Sequence, residues 1–268
     1  MEFRTIVDIP KPAFEIQPCE QILFVGSCFA NSIGQRFKEE GFPVVMNPYG
    51  TMYNPVSILH TIQRCGVQPR IAFLTLGTNH VYRLKETGEI VDNCEKRPQS
   101  LFTEEELSIE ECGDYLQQAV NLLKQRNPDV HIIFTVSPIR YRKYGYHESQ
   151  LSKATLLLAT HMAVNSFPTG VCTYFPAYEI VMDELRDYRF YAADMLHPSE
   201  QAVEYIWERL TDCYFSKEAK TFLEEWHPLK QTLAHRPFNP DSKEYQALMD
   251  KTMLKVTELR KKYTTFAL

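Results

Sequence analysis

Nowhere in this chain do apolar residues run for the ~18 positions that a membrane-spanning helix needs, and the opening Met1-Glu2-Phe3-Arg4-Thr5 lacks the apolar stretch of a signal peptide. A cytoplasmic protein with no membrane partner is the resulting expectation. No C-x-x-C pair occurs: Cys19, Cys28, Cys65, Cys94, Cys112, Cys172 and Cys213 are scattered and odd in number. That pattern argues against a disulfide framework and for reduced, mostly buried thiols. There is no basic excess either, since 34 acidic residues outnumber 29 basic ones for a formal net charge of -5. With no basic face to collect phosphates, nucleic acid is not expected as a partner. His80, Cys94, Glu95 and His197 match no zinc spacing, so neither a metal nor another cofactor is expected. No internal repeat is visible.

What is present is a chain of 268 residues, 44% hydrophobic, long enough to bury a sizeable core. Pro10, Pro12 and Pro18 keep the lead segment out of helix and favour an extended arm. Ile22-Leu23-Phe24-Val25 is a short, continuous apolar run closed by Gly26, the pattern of a parallel strand covered on both faces. A helix follows, with Ile33 and Phe37 on one side and Gly41 as its stop. Further strands are predicted at 44–46, 71–76, 130–136 and near 171–174.

Between these strands lie helices: one opened by Asn54 and Pro55, one by a capping box of Ser108 with Glu111, and one over 150–166. Residues 80–93 alternate around Thr87-Gly88 like a hairpin overhanging the strand ends. Beyond Ser199 the chain reads as all helical: one helix to about Cys213, another through Leu223, and a charged one over 241–263. Strand and helix in alternation predict an α/β fold: a flavodoxin-like three-layer sandwich with a parallel five-stranded sheet, plus C-terminal helices. We divide it as residues 1–230, an α/β domain with its arm, and 231–268, a helical extension packed on the same domain.

In such a sheet the ligand site lies at the carboxyl ends of the strands flanking the switch point. Ser27 follows strand one, Gly50 follows strand two, and Asn79 comes shortly after strand three. A serine hydroxyl becomes a useful nucleophile only when an imidazole accepts its proton and a carboxylate fixes that imidazole's tautomer. Asp194-Met195-Leu196-His197 supplies both within one turn, so His197 is the candidate base and Asp194 its partner. The Ser27 and Gly50 N–H groups and the Asn79 amide are the candidate oxyanion donors. Asn54, Thr78, His80 and Arg140 are the candidates for substrate contact on this rim, and Tyr141, Tyr144 and Tyr146 lie beside Arg140 in sequence. Each has a structural alternative. Ser27 and Asn79 could simply cap, Gly50 could only turn the chain, Cys28 could be packing, and Arg140 could pair with a carboxylate.

At Gly26-Ser27-Cys28-Phe29-Ala30 the chain resembles the GSCFA family, a bacterial branch of the SGNH (GDSL-like) hydrolase superfamily. Residues 47–55, Thr75-Leu76-Gly77-Thr78, Ser137-Pro138-Ile139-Arg140 and 194–199 look like the family's further blocks, in their usual order. The resemblance implies the SGNH fold, with the superfamily's serine at Ser27, glycine at Gly50, asparagine at Asn79 and Asp-x-x-His at Asp194 and His197. It departs where Ser27 follows Gly26 directly, without the aspartate usual between them. The expected activity is hydrolysis of a small acyl ester, such as an O-acetyl group on a carbohydrate. The alternatives are acyl transfer to a glycan and a binding module that has lost activity. The last helix reads as a solvated charged face, with a homodimer contact as its alternative.

Overall fold

The computed structural model describes residues 4–94 and 96–267, so Met1 to Phe3 and Glu95, both named above, lie outside the described residues. Five parallel strands form the central sheet: β1 (Ile22–Gly26), β2 (Val44–Met46), β3 (Ile71–Leu76), β7 (His131–Val136) and β8 (Cys172–Tyr174). Their spatial order is β2-β1-β3-β7-β8. The order reverses between β1 and β3, where Gly26 pairs with Thr75, and the expected sandwich is the observed one.

Strand alternation separates two cores. Ile22, Phe24 and Phe73 face one layer, where α1 (Cys28–Glu39), α6 (Glu200–Tyr214) and α7 (Lys217–Ala234) pack with Phe37, Trp207 and Trp226. Leu23, Val25 and Leu74 face the other, covered by α2 (Pro55–Arg64), α3 (Ile109–Arg126) and α4 (Tyr146–Asn165). Each fully buried Phe or Leu in these layers is worth ~1.5–3 kcal/mol. The caps read from the sequence form: Asn54 Oδ1 accepts from Ser57 N–H, and the capping box of Ser108 and Glu111 is complete.

Three elements depart from the sequence expectation. The hairpin of β4 (His80–Leu84) and β5 (Ile90–Val91) gains a third antiparallel strand, β6 (Phe102–Glu106), paired to β4. Phe-Thr-Glu-Glu-Glu carries no apolar alternation, so only its ladder with β4 makes it a strand. α4 starts at Tyr146 rather than at 150. α7 runs through Pro228 to Ala234, because Phe222, Trp226 and Leu229 are buried on both sides of the proline and hold the helix together. The short α5 (Ala177–Glu179) leads into a π-helical turn, Ile180–Leu185.

The arm is pinned along α6. Ile16 N–H donates to Tyr214 O and Ser216 N–H to Ile16 O, while Val7 N–H donates to the buried Glu184, which also pairs with Arg209 at 2.8 Å. The C-terminal α8 (Lys243–Lys262) packs on α7, and Phe266 closes the layer against Phe222 and Trp226. Among the described residues no helix is long and apolar enough to cross a membrane. All seven cysteines are free.

Candidate active site

Gly26 ends β1 at φ +145°, and a Cβ there would fall 2.1 Å from Thr75 O on β3. Glycine therefore lets the backbone of β1 meet β3 and turn straight into α1. Gly26→Ala is expected to cost roughly 2–5 kcal/mol through strain and overpacking. A melting temperature within a degree or two of the parent's would contradict this reading.

Ser27 sits on that turn as the N-cap of α1, 2% exposed, its Oγ accepting from Phe29 N–H at 3.3 Å. Because Oγ is the acceptor in this bond, its own proton remains available to a base. The positive end of α1 favours negative charge at this oxygen.

His197 lies on the loop between the π-helical turn and α6. Its Nδ1 is 2.6 Å from Asp194 Oδ2, while Asp194 Oδ1 accepts from Leu196 N–H at 2.8 Å and His197 N–H at 3.0 Å. Those backbone bonds first, then the imidazole, pull the Asp194 carboxyl down to about 2. With Nδ1 donating to a carboxylate, Nε2 is left as the acceptor. Met195 takes a left-handed φ of +60° inside this turn. Arg140 steadies it from the end of β7: its N–H donates to Leu196 O at 3.0 Å and its Nη1 to Met195 O at 3.1 Å, with the guanidinium over the Tyr146 ring.

Ser27 and His197 thus precede the N-termini of two helices that pack together, α1 and α6, joined by Arg36 to Glu204 at 2.5 Å and Phe37 on Trp207. Both belong to the carboxyl edge of the sheet. No hydrogen bond joins Ser27 Oγ to His197 among the described residues, and the His197 side chain is 45% exposed.

The nominated oxyanion donors are engaged elsewhere. Ser27 N–H donates to Thr75 O, and Gly50, exposed at φ +95°, donates its N–H to Asn47 O within its own turn. Asn79 is buried and gives its amide to Leu107 O at 2.8 Å, fastening the β4–β6 sheet. The first-turn Cys28 N–H, beside the hydroxyl and without a partner among the described residues, is the donor that remains.

Three predicted substrate contacts are also interior. Asn54 caps α2, Thr78 Oγ1 meets Ser152 Oγ at 3.1 Å, and His80 stacks on Tyr144 with centroids 3.9 Å apart. All three are buried within the fold, which takes them away from solvent. Burial also holds His80 below the ordinary imidazole range. Of that group, Arg140 alone reaches the rim, between Tyr146 and Tyr191. Among the described residues no cluster of three His, Cys, Asp or Glu side chains could hold a metal ion.

Two residues that the sequence reading passed over shape the site. Tyr53 O accepts from both Gly77 and Thr78 N–H at 2.8 Å, and its hydroxyl lies 3.5 Å from Cys28 Sγ, so its ring walls the space beside Ser27. A tyrosine in a loop carries no local signal of this. Lys153 is fully buried on α4 and donates to Gly77 O at 2.7 Å, while its neighbour Ser152 accepts from Asn79 N–H. The buried α4 positions 149, 152, 153, 156 and 160 follow helical spacing, and that stripe was the available signal.

Burial lowers the Lys153 ammonium from 10.5 to about 7. Between those values the unfolded chain holds a proton that the folded one has lost, so stability rises with pH across that window. Lys153→Met is expected to flatten that rise, measured by urea unfolding from pH 6 to 10. An unchanged slope would place the ammonium in solvent.

The profile of the GSCFA family matches residues 21–70 and 65–210, and that of the GSCFA domain protein C-terminal domain matches 226–268. No curated protein sequence matches the chain. Among solved structures, one from Streptococcus pneumonia, provisionally described as a platelet activating factor, shares 16% identity at a TM-score of 0.51, covering 75% of this chain and 85% of its own. A catalytic mutant of an acetylxylan esterase from Geobacillus stearothermophilus shares 13% at 0.46, covering 76% and 98%. A provisionally described GDSL-like lipase from Parabacteroides merdae shares 12% at 0.45, covering 75% and 100%. At these identities the likeness concerns the fold alone, an α/β sandwich around a parallel sheet.

Proposed function

The chain belongs to the GSCFA family, and from the groups on its carboxyl rim we propose that it is a serine hydrolase acting on small acyl esters. Ser27 Oγ attacks the ester carbonyl while His197 Nε2 takes its proton, and Asp194 holds the resulting imidazolium. The C–O bond to the alcohol then breaks, the proton passes from His197 to the leaving oxygen, and water repeats the cycle on the acyl-enzyme. Negative charge on the tetrahedral oxygen is met by the α1 N-terminus, with the Cys28 N–H as its nearest donor.

The observation that carries this reading is the Asp194–His197 pair at 2.6 Å, set before a helix that packs on the one capped by Ser27. The hydroxyl is recessed, so a short acyl chain such as acetyl suits it. Exposed Tyr146 and Tyr188 near Arg140 offer flat faces for a sugar in the alcohol part. The test is release of acetate from acetylated oligosaccharides together with labelling by a fluorophosphonate probe. The absence of both release and labelling would reject it. Adding glycan acceptors separates transfer from hydrolysis, since only a transferase diverts acetyl to the sugar.

One observation favours a second reading, a binding module on the same fold: no hydrogen bond links Ser27 Oγ to His197 among the described residues. Catalytic hydrogen bonds often tighten only when substrate is bound, so the hydrolase requires the two to close on an ester. Ligand binding that survives His197→Ala without any turnover would select the module.

A further inference from the structure

Beside the His197 loop lies a cavity of about 320 Å³ lined by Arg140, Gln150, Met182, Arg186, Tyr188 and Tyr191, with Val181 and Asp187 completing its wall. Its polar chemistry consists mainly of donors. Arg140 uses one guanidinium N–H on Met195 O and keeps others. Gln150 Oε1 accepts from Tyr178, which leaves the amide N–H groups to donate. Among the described residues Arg186 makes one ion pair, with Asp183 at 3.5 Å, and both side chains are largely exposed. The carboxylate of Asp187 is occupied by Arg189, through its N–H at 2.9 Å and its Nη2 at 3.3 Å. Two guanidiniums therefore share this cavity with one carboxylate already balanced from outside it. Tyrosine and methionine supply the apolar remainder.

The geometry points to a carboxylate-binding subsite here, one that receives an acidic group carried on the alcohol part of the ester. This deepens the hydrolase reading and rests on it. The side of the ester is set by Arg140, which lines the cavity and also holds the two carbonyls just before His197. His197 delivers the proton to the departing alcohol, so what binds against its loop is the alcohol part. A guanidinium recognises a planar carboxylate through parallel N–H donors, so an acidic sugar or aryl group gains here what its neutral counterpart does not.

The experiment compares kcat/KM for 4-acetoxybenzoate and its uncharged amide, 4-acetoxybenzamide, in the parent enzyme and in Arg186→Gln, an exposed position whose change spares the core. The charged ester is expected to be preferred about tenfold, with Arg186→Gln bringing the ratio close to one. A ratio near one in the parent, or one that persists in Arg186→Gln, overturns the assignment. So does a preference that appears instead with a carboxylate in the acyl chain, as in monophenyl succinate against phenyl butyrate. Calorimetric binding of 4-hydroxybenzoate to the Ser27→Ala protein provides a readout without turnover. Binding there that is lost on adding Arg186→Gln supports the subsite even if no ester is hydrolysed, and no binding overturns it.

Discussion

Ser27→Ala is expected to abolish fluorophosphonate labelling and to lower turnover of an acetyl ester by ~10⁴-fold or more, the scale on which removal of a serine nucleophile acts in other hydrolases. The effect is large because alanine removes the atom that forms the bond, leaving only binding and the charge of the α1 N-terminus to assist water. Its structural consequence is small by comparison. The lost cap on Phe29 N–H costs about 1 kcal/mol, so the variant remains folded and its melting temperature stays close to the parent's. Loss of activity in a folded protein separates a chemical role from a capping role, the two readings that a serine after a strand-closing glycine allows. Turnover and labelling that persist in the variant would leave the cap as its whole role.

The second large effect falls on the pair behind it. His197→Ala is expected to reduce turnover by a similar order, and Asp194→Asn by ~10⁴-fold, since an amide in place of the carboxylate presents the imidazole in the wrong tautomer. The pH behaviour follows from the donors around Asp194. Two backbone N–H groups and the imidazole hold its carboxyl at about 2, below the ordinary 3.8. A depressed carboxyl contributes stability that is fully present above the unfolded value and is lost as pH falls through the folded one. Asp194 thus stays charged between pH 8 and 4. The stability profiles of the parent and Asp194→Asn should run apart by a constant gap above about pH 4 and converge as pH falls from there toward about 2. Equal pH–rate profiles and rates for the two proteins would show that the carboxylate takes no part in the chemistry.

Much of the architecture was legible because it is written in short-range patterns. The apolar run before Gly26, the capping box at Ser108 and the Asn54 cap each involve residues within four positions, and all form as read. β6 was not legible, since its acidic residues become a strand only by pairing with β4. The length of α7 was not legible for the same reason: the helix continues past Leu223 and through Pro228 where Trp226 and Leu229 are buried.

At the site the same division holds. Sequence alone determined the strand-to-helix turn that sets a serine at a helix start, and the Asp194-to-His197 turn, because both are closed by neighbours along the chain. Tertiary structure alone decided that Gly50 faces solvent, that the Asn79 amide is taken by Leu107, that Thr78 and His80 are interior, and that Lys153 lies under Gly77. The physical reason is that a donor or cation has the same local signature whether it meets a substrate, a distant carbonyl or water. Only the packing of separate strands and helices chooses which of these it meets.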